Sequence, residues 1–367
     1  MARDAIQPAH GPIQKSARQR LYDVFTEAAR AAQFTRLDLD LLIHPQSGQF
    51  IKDSTSLSHG VRLEFVRSFF LFLSRLKVLR KWLETSSLAR RLSTRFVAGE
   101  TLEEALALCR RLNSEGITVT LDHLGESVTS LSEAAEARDV YLRTQAAIQE
   151  SRIQGNVSLK LTQFGLDLSE AECRANVAQL VRHAAEAGSF VRVDMESSEY
   201  TDRTLALVRD LHRECGCVGI VIQAYLYRSK ADIEDLCDRK IRVRLCKGAY
   251  LEPASAAFPK KADVDRNFVE LARILLDRGE YPAIATHDEK MIEATKLFAE
   301  KRQLSRDAFE FQMLYGIRRD LQRKLVAEGY RLRLYVPFGK AWYPYYMRRL
   351  AERPANVFFI LRNIFRQ

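Results

Sequence analysis

Two short segments carry the residue types and spacing best suited to chemistry. In Tyr345-Tyr346-Met347-Arg348-Arg349-Leu350-Ala351-Glu352, a helix would set Tyr345, Arg348, Arg349 and Glu352 on one face, because residues three and four apart stand one above the other. Paired guanidiniums suit a carboxylate or a phosphate, since each planar fork donates two parallel hydrogen bonds. A surface ion pair between Arg348 and Glu352 is the plainer alternative. The second segment is Arg244-Leu245-Cys246-Lys247-Gly248-Ala249-Tyr250. Here Arg244 and Lys247 offer charge beside Gly248 and Ala249, whose small side chains let a ligand approach the backbone. Lys247 also suits Schiff-base chemistry, or it is a solvated lysine in a turn.

The elements that must position these residues are strands alternating with helices. Strand-like runs occupy 117–122, 156–161, 190–195, 218–223, 241–246, 282–286, 308–313 and 331–336, with helical periodicity at 169–187, 201–214 and 262–278 between them. Such alternation implies crossover units and a parallel sheet. Eight units would close a (β/α)8 barrel. The rival is an open doubly wound sheet, but no GxGxxG follows any strand. The expected organisation is an α/β chain with an N-terminal helical arm over 1–98 and a catalytic barrel over 99–367.

In this architecture reactive groups gather at the carboxyl ends of the strands. The first run leads into Asp122-His123-Leu124-Gly125-Glu126, and Lys160 lies near the end of the second. Asp194 and Glu196 end the third, Gln223 the fourth, Arg244 and Lys247 the fifth, and Thr286-His287-Asp288 the sixth. Glu310 and Gln312 occur in the seventh, and Tyr335 ends the eighth. The strand starts read as mostly apolar or exposed. His287 alone would read as a structural histidine, and Glu310 and Gln312 as hydrogen-bonded barrel residues without an assigned role.

Composition narrows the function classes. Lys and Arg number 57 against 47 Asp and Glu, a net +10 that favours anionic partners such as nucleic acid, an acidic membrane face or a phosphorylated cofactor. No zinc-finger spacing, homeodomain pattern or RNA-binding aromatic signature accompanies that charge, so specific nucleic-acid binding is not expected. The six cysteines include no CxxC pair, and the histidines lack ligand spacing. We therefore expect reduced thiols and no metal. The longest early apolar run, Phe69-Phe70-Leu71-Phe72-Leu73, is far short of a bilayer span, and Asp4 interrupts any signal-type region.

Taken together, the two segments and the strand ends resemble the proline dehydrogenase family. The resemblance runs from about Leu21 to the C-terminus and is strongest over 117–352. It rests on the Tyr345-x-x-Arg348-Arg349-x-x-Glu352 segment and the strand exit from Arg244 to Tyr250. Lys160, Asp194, Ala285-Thr286-His287, Glu310-Phe311-Gln312 and Tyr335-Val336-Pro337 follow in matching order. The resemblance implies a distorted (β/α)8 barrel whose last helix lies over the mouth. It also implies non-covalent FAD, oxidation of L-proline to Δ1-pyrroline-5-carboxylate, and electron transfer to a membrane quinone.

By the same resemblance, Arg348, Arg349 and Lys160 would hold the substrate carboxylate, and Asp194 would orient that cationic group. Tyr335, Tyr345, Leu314, Ala249 and Tyr250 would enclose the ring. Arg244 would lie near the flavin N5 edge, where negative charge develops. Gln223, Lys247, Gly248, Thr286, His287 and Glu352 would hold the rest of FAD, and Glu126 would close as a gate with Arg348. Leu251 stands where the bifunctional branch carries Trp. The sequence stops soon after the motif helix, so the monofunctional form is expected, with a separate pyrroline-5-carboxylate dehydrogenase as a partner. Basic amphipathic stretches at 65–82 and 358–367 offer peripheral membrane contact or cover for the barrel. The expected location is cytoplasmic, against the inner face of the cell membrane. A Schiff-base lyase using Lys160 or Lys247, and a basic membrane- or nucleic-acid-binding module, are the competing functions.

Overall fold

The computed structural model describes residues 94–125, 128–250, 252–343 and 345. The chain divides into two compact units, and every described strand lies in the one spanning Arg91–Trp342. Its strands are β1 (Thr118–His123), β2 (Gly155–Leu159), β3 (Val191–Val193), β4 (Val218–Gln223), β5 (Arg242–Cys246), β6 (Ala283–Ala285), β7 (Glu310–Leu314) and β8 (Leu332–Phe338). All pair in parallel in sequence order, and β1 also pairs with β8, so the sheet closes into a barrel.

The helices follow the alternation. They are α1 (Leu102–Ser114), α2 (Leu131–Glu150), α3 (Glu170–Glu186), α4 (Thr201–Cys215), α5 (Ser229–Asp238), α6 (Lys261–Arg278), α7 (Glu289–Lys301) and α8 (Arg319–Ala327). Their starts are chemically marked. Thr101 and Glu104 form a reciprocal cap before α1, and Ser130, Ser169 and Asp288 accept backbone N–H groups at α2, α3 and α7. These caps satisfy amides that a helix start leaves without intrahelical partners.

The expected strands are all present, with boundaries shifted by at most two residues and β4 unshifted. β8 runs on to Phe338, so Tyr335 sits within it instead of at its end. The packing uses the period of two that strands impose. Val157, Leu159, Val193, Ile220, Ile222, Leu245, Ile284, Phe311 and Leu334 are almost fully buried and belong to one apolar core that the helices share. Burying each such side chain contributes roughly 1.5–3 kcal/mol.

The opposite side of the strands faces the lumen and is polar on most of them, with Ala283 and Ala285 of β6 as short apolar exceptions. Hydrogen bonds between strands that are not neighbours, from Arg244 on β5 to Ser158 on β2 and from Tyr335 on β8 to Asp194 just past β3, must cross that lumen. The expectation of apolar or exposed strand starts is overturned here. Arg192, Glu310 and Arg333 all lie within the first two residues of their strands, and all are buried in the barrel. Arg192 and Arg333 look solvent-suited in isolation, and closure of the barrel removes the water, while Glu310 is the hydrogen-bonded barrel residue expected of it. Gly219 on β4 makes room for one of them, because a Cβ there would stand 2.8 Å from Arg192 Nη1 and 2.7 Å from the Arg242 carbonyl oxygen.

Candidate active site

β2 and β3 bring the first two candidate residues together. Lys160 caps the short helical turn Leu161–Phe164 directly after β2. The Asp194 amide donates to the Leu159 carbonyl at 2.8 Å, which continues the sheet pairing past β3. The Asp194 carboxylate then receives four donors. Ser158 Oγ (2.5 Å) and Arg244 Nη1 (2.8 Å) reach Oδ1, while Tyr335 Oη (2.9 Å) and Lys160 Nζ (3.4 Å) reach Oδ2. The structure thus gathers Lys160, Asp194, Arg244 and Tyr335 around one carboxylate.

A second carboxylate, Asp122 at the end of β1, supports Lys160 from the other side at 3.2 Å. Asp122 is itself held by Tyr141 on α2, whose hydroxyl donates to Oδ1 at 2.9 Å. Burial opposes the charge on Lys160, but Asp122 and Asp194 outweigh it and raise its pKa above the ordinary lysine value. Burial likewise opposes ionisation of Asp194, yet Lys160 and Arg244, with hydrogen bonds from Ser158 and Tyr335, hold its carboxyl below the usual range. Tyr335 stays a phenol, because burial and the two aspartates push its pKa well up. A lysine so firmly protonated is a poor Schiff-base nucleophile, which requires the neutral amine.

Arg244 is nearly buried, and its Nη2 atom has no hydrogen-bond partner. Its guanidinium lies 5.4 Å from the Tyr335 ring centre. Leaving donors unpaired out of water costs about 1–3 kcal/mol for each group, a cost the fold carries at this edge of Arg244.

The remaining candidates are arranged differently. Gln223 Oε1 accepts from the Ala249 amide at 3.1 Å, and its Nε2 donates to the Glu196 carbonyl at 2.8 Å, tying the segments that follow β3 and β5 to the end of β4. Gly248, Ala249 and Tyr250 are exposed at that exit. The need for glycine at 248 is internal, since its φ is +130° and a Cβ would stand 2.6 Å from the Tyr225 ring. Lys247 is neither a solvated turn lysine nor directed at the Asp194 cluster. Its ammonium bridges Asp265 on α6 (2.5 Å) and Asp288 before α7 (2.7 Å). Thr286 is buried and accepts from the Asp288 amide, and His287 Nε2 accepts from the Leu314 amide at 2.9 Å. Glu126, Leu251, Arg348, Arg349, Glu352 and the stretches at 65–82 and 358–367 lie outside the described residues, and Tyr345 falls in the second compact unit.

Sequence reasoning assigned no role to Asp122, Tyr141, Ser158 or Gln312. Ser158 was within reach, because it lies two residues before Lys160 and so shares its side of the strand. Tyr141 carries no such signal, since its place on α2, the helix after β1, does not by itself show that its hydroxyl reaches Asp122. Among the described residues no group of three His, Cys, Asp or Glu side chains could hold a metal, and no helix is long and apolar enough to cross a membrane.

Comparison with known proteins assigns the family and the fold. A proline dehydrogenase family profile matches residues 105–362. Proline dehydrogenase 1 of Bacillus subtilis is 42% identical over 302 residues, covering 82% of this chain and 100% of the relative. The proline dehydrogenase of Deinococcus radiodurans is 43% identical over 278 residues, 74% of this chain and 90% of that one. In fold, proline utilization A from Bdellovibrio bacteriovorus superposes with a TM-score of 0.69 at 24% identity, over 89% of this chain and 41% of the longer one. With a matched profile over most of its length and close relatives covered nearly end to end, the chain belongs to the proline dehydrogenase family.

Proposed function

We propose that this chain oxidises L-proline to Δ1-pyrroline-5-carboxylate with bound FAD, electrons then passing to a quinone and the product to a pyrroline-5-carboxylate dehydrogenase. The observation that carries this reading is the Arg244 guanidinium, a buried cation in the barrel lumen with one edge left without partners. The residues present fit a flavin. Arg244 offers unpaired donors, Gln223 is fixed at the end of β4, and Thr286 and His287 lie together at the end of β6. Those side chains would hold FAD, which when bound supplies the two-electron acceptor that no amino-acid side chain provides.

The protein's own groups then do three things. Lys160, kept protonated by Asp122 and Asp194, attracts the substrate carboxylate, and Arg348 and Arg349 are proposed to complete that clamp. Tyr335, anchored through its hydroxyl to Asp194, presents its ring to the substrate and limits the space for it. Arg244 places fixed positive charge where negative charge accumulates, and a preorganised donor of this kind needs no rearrangement during reaction. Glu126 and Arg348 are proposed to close over the bound ring and exclude water.

Purified protein should show a flavin absorption spectrum that bleaches on anaerobic addition of L-proline. Stoichiometric bleaching by NADH and none by proline would overturn the reading.

A further inference from the structure

Arg244 is held from two directions, and only one involves Asp194. Its Nε donates to Gln312 Oε1 at 2.5 Å, while Nη1 reaches Asp194 and Ser158. β6 lies between β5 and β7, and its register partners for Arg244 and Gln312 are Ala283 and Ala285. These short side chains let Arg244 span from β5 to β7 across the lumen.

Gln312 is in turn fixed from below. Its Nε2 donates to Glu310 Oε1 at 2.5 Å, and the same oxygen accepts Arg333 Nε at 2.8 Å. Arg333 Nη1 is anchored to the Val119 carbonyl (2.9 Å) and to Asn156 Oδ1 (3.1 Å). The amide therefore has one workable orientation. Flipping it would set N–H against the Arg244 N–H and oxygen against the Glu310 carboxylate. Burial opposes the charge on Glu310, but Arg333 and the hydrogen bonds from Arg333 and Gln312 outweigh it, so the acceptor that locks the amide stays ionised.

We propose that Gln312 is a positioning residue for the oxidation, its amide locked by Glu310 so that its oxygen fixes the Arg244 plane and turns the unpartnered Nη2 edge toward the reacting face. This rests on the reading in which Arg244 meets the flavin. A neutral acceptor suits the task, because it orients the guanidinium without cancelling its charge. A carboxylate at 312 would both neutralise Arg244 and repel Glu310.

The test uses the flavin-loaded full chain and compares Gln312→Met, Arg244→Met and the double variant. The readouts are flavin content, the midpoint potential of the bound flavin, and kcat and KM for proline. Gln312→Met should retain flavin, shift the potential to a more negative value and lower kcat at least tenfold, with KM changed less than threefold. In the Arg244→Met background the same substitution should change kcat less than twofold, because no guanidinium remains to be oriented. Equal losses in both backgrounds, or unchanged potential and kcat in the single variant, would overturn the proposal. If Gln312→Met does not fold, Gln312→Asn withdraws the oxygen by one methylene and should move potential and kcat in the same direction by less. Wild-type potential and turnover in that variant overturn it equally. A wild-type chain that binds no flavin sinks the underlying flavin reading, a result distinct from a flavin enzyme indifferent to residue 312.

Discussion

Replacing Asp194 with Asn tests the charged cluster directly, since it keeps the shape and removes the charge. Asp194 accepts from Ser158, Arg244, Tyr335 and Lys160, and its side chain is only 13% exposed, so solvent screens little of the interaction. The Arg244 and Lys160 bonds join full charges, and each such bond contributes about 1.5–3 kcal/mol net. An amide keeps one oxygen for Arg244 and Ser158 but turns an N–H₂ toward Tyr335 and Lys160. Losing the Lys160 bond and weakening that of Arg244 should cost on the order of 3 kcal/mol, or roughly 6–12 °C in melting temperature for a unit of this size. Urea unfolding of the purified chain reads this as a lower midpoint at unchanged slope.

The pH dependence supplies a second arm. The folded Asp194 pKa lies below its unfolded value of about 3.9, with burial opposed by the two cations and outweighed. Its contribution is complete above the unfolded value and is lost as pH falls through the folded one. The Asn variant has nothing to lose there, so the two stability curves should converge in acid. A loss under about 0.5 kcal/mol at neutral pH, the size of an ordinary surface substitution, would refute the reasoning.

Prolinamide retains ring and amine but lacks the anion that the proposed function assigns to Lys160, so on that proposal it should be oxidised far more slowly than L-proline, a loss of several kcal/mol on the order expected for charge-assisted bonds. Equal rates in anaerobic stopped-flow would place the cationic cluster outside the substrate site. Borohydride added with substrate should trap no adduct on Lys160, because Asp122 and Asp194 keep its amine protonated, and a trapped adduct seen by mass spectrometry would restore the Schiff-base alternative. Gly219→Ala sets a Cβ 2.7 Å from the Arg242 carbonyl oxygen and should destabilise by about 1–3 kcal/mol through overpacking, with a wild-type unfolding midpoint counting against that close approach.

The amino-acid sequence by itself determined the barrel. Period-two runs such as Asn156-Val157-Ser158-Leu159 and the helical stretches between them are local patterns, set by where each backbone sends its next side chain. The same local rule placed Lys160, Asp194 and Arg244 at or near strand ends. Which of them would meet was not local. Arg244 and Gln312 are 68 residues apart, and Tyr335 and Asp194 are 141 apart. Their contacts exist only because β1 pairs with β8 and closes the sheet. Closure also buried Arg192 and Arg333 near the starts of their strands, although they look solvent-exposed as single letters. A sealed lumen excludes water, so Glu310 pairs with Arg333 while Arg192 turns to backbone carbonyls, and the first of these pairings makes Glu310 and Gln312 part of the frame that holds Arg244.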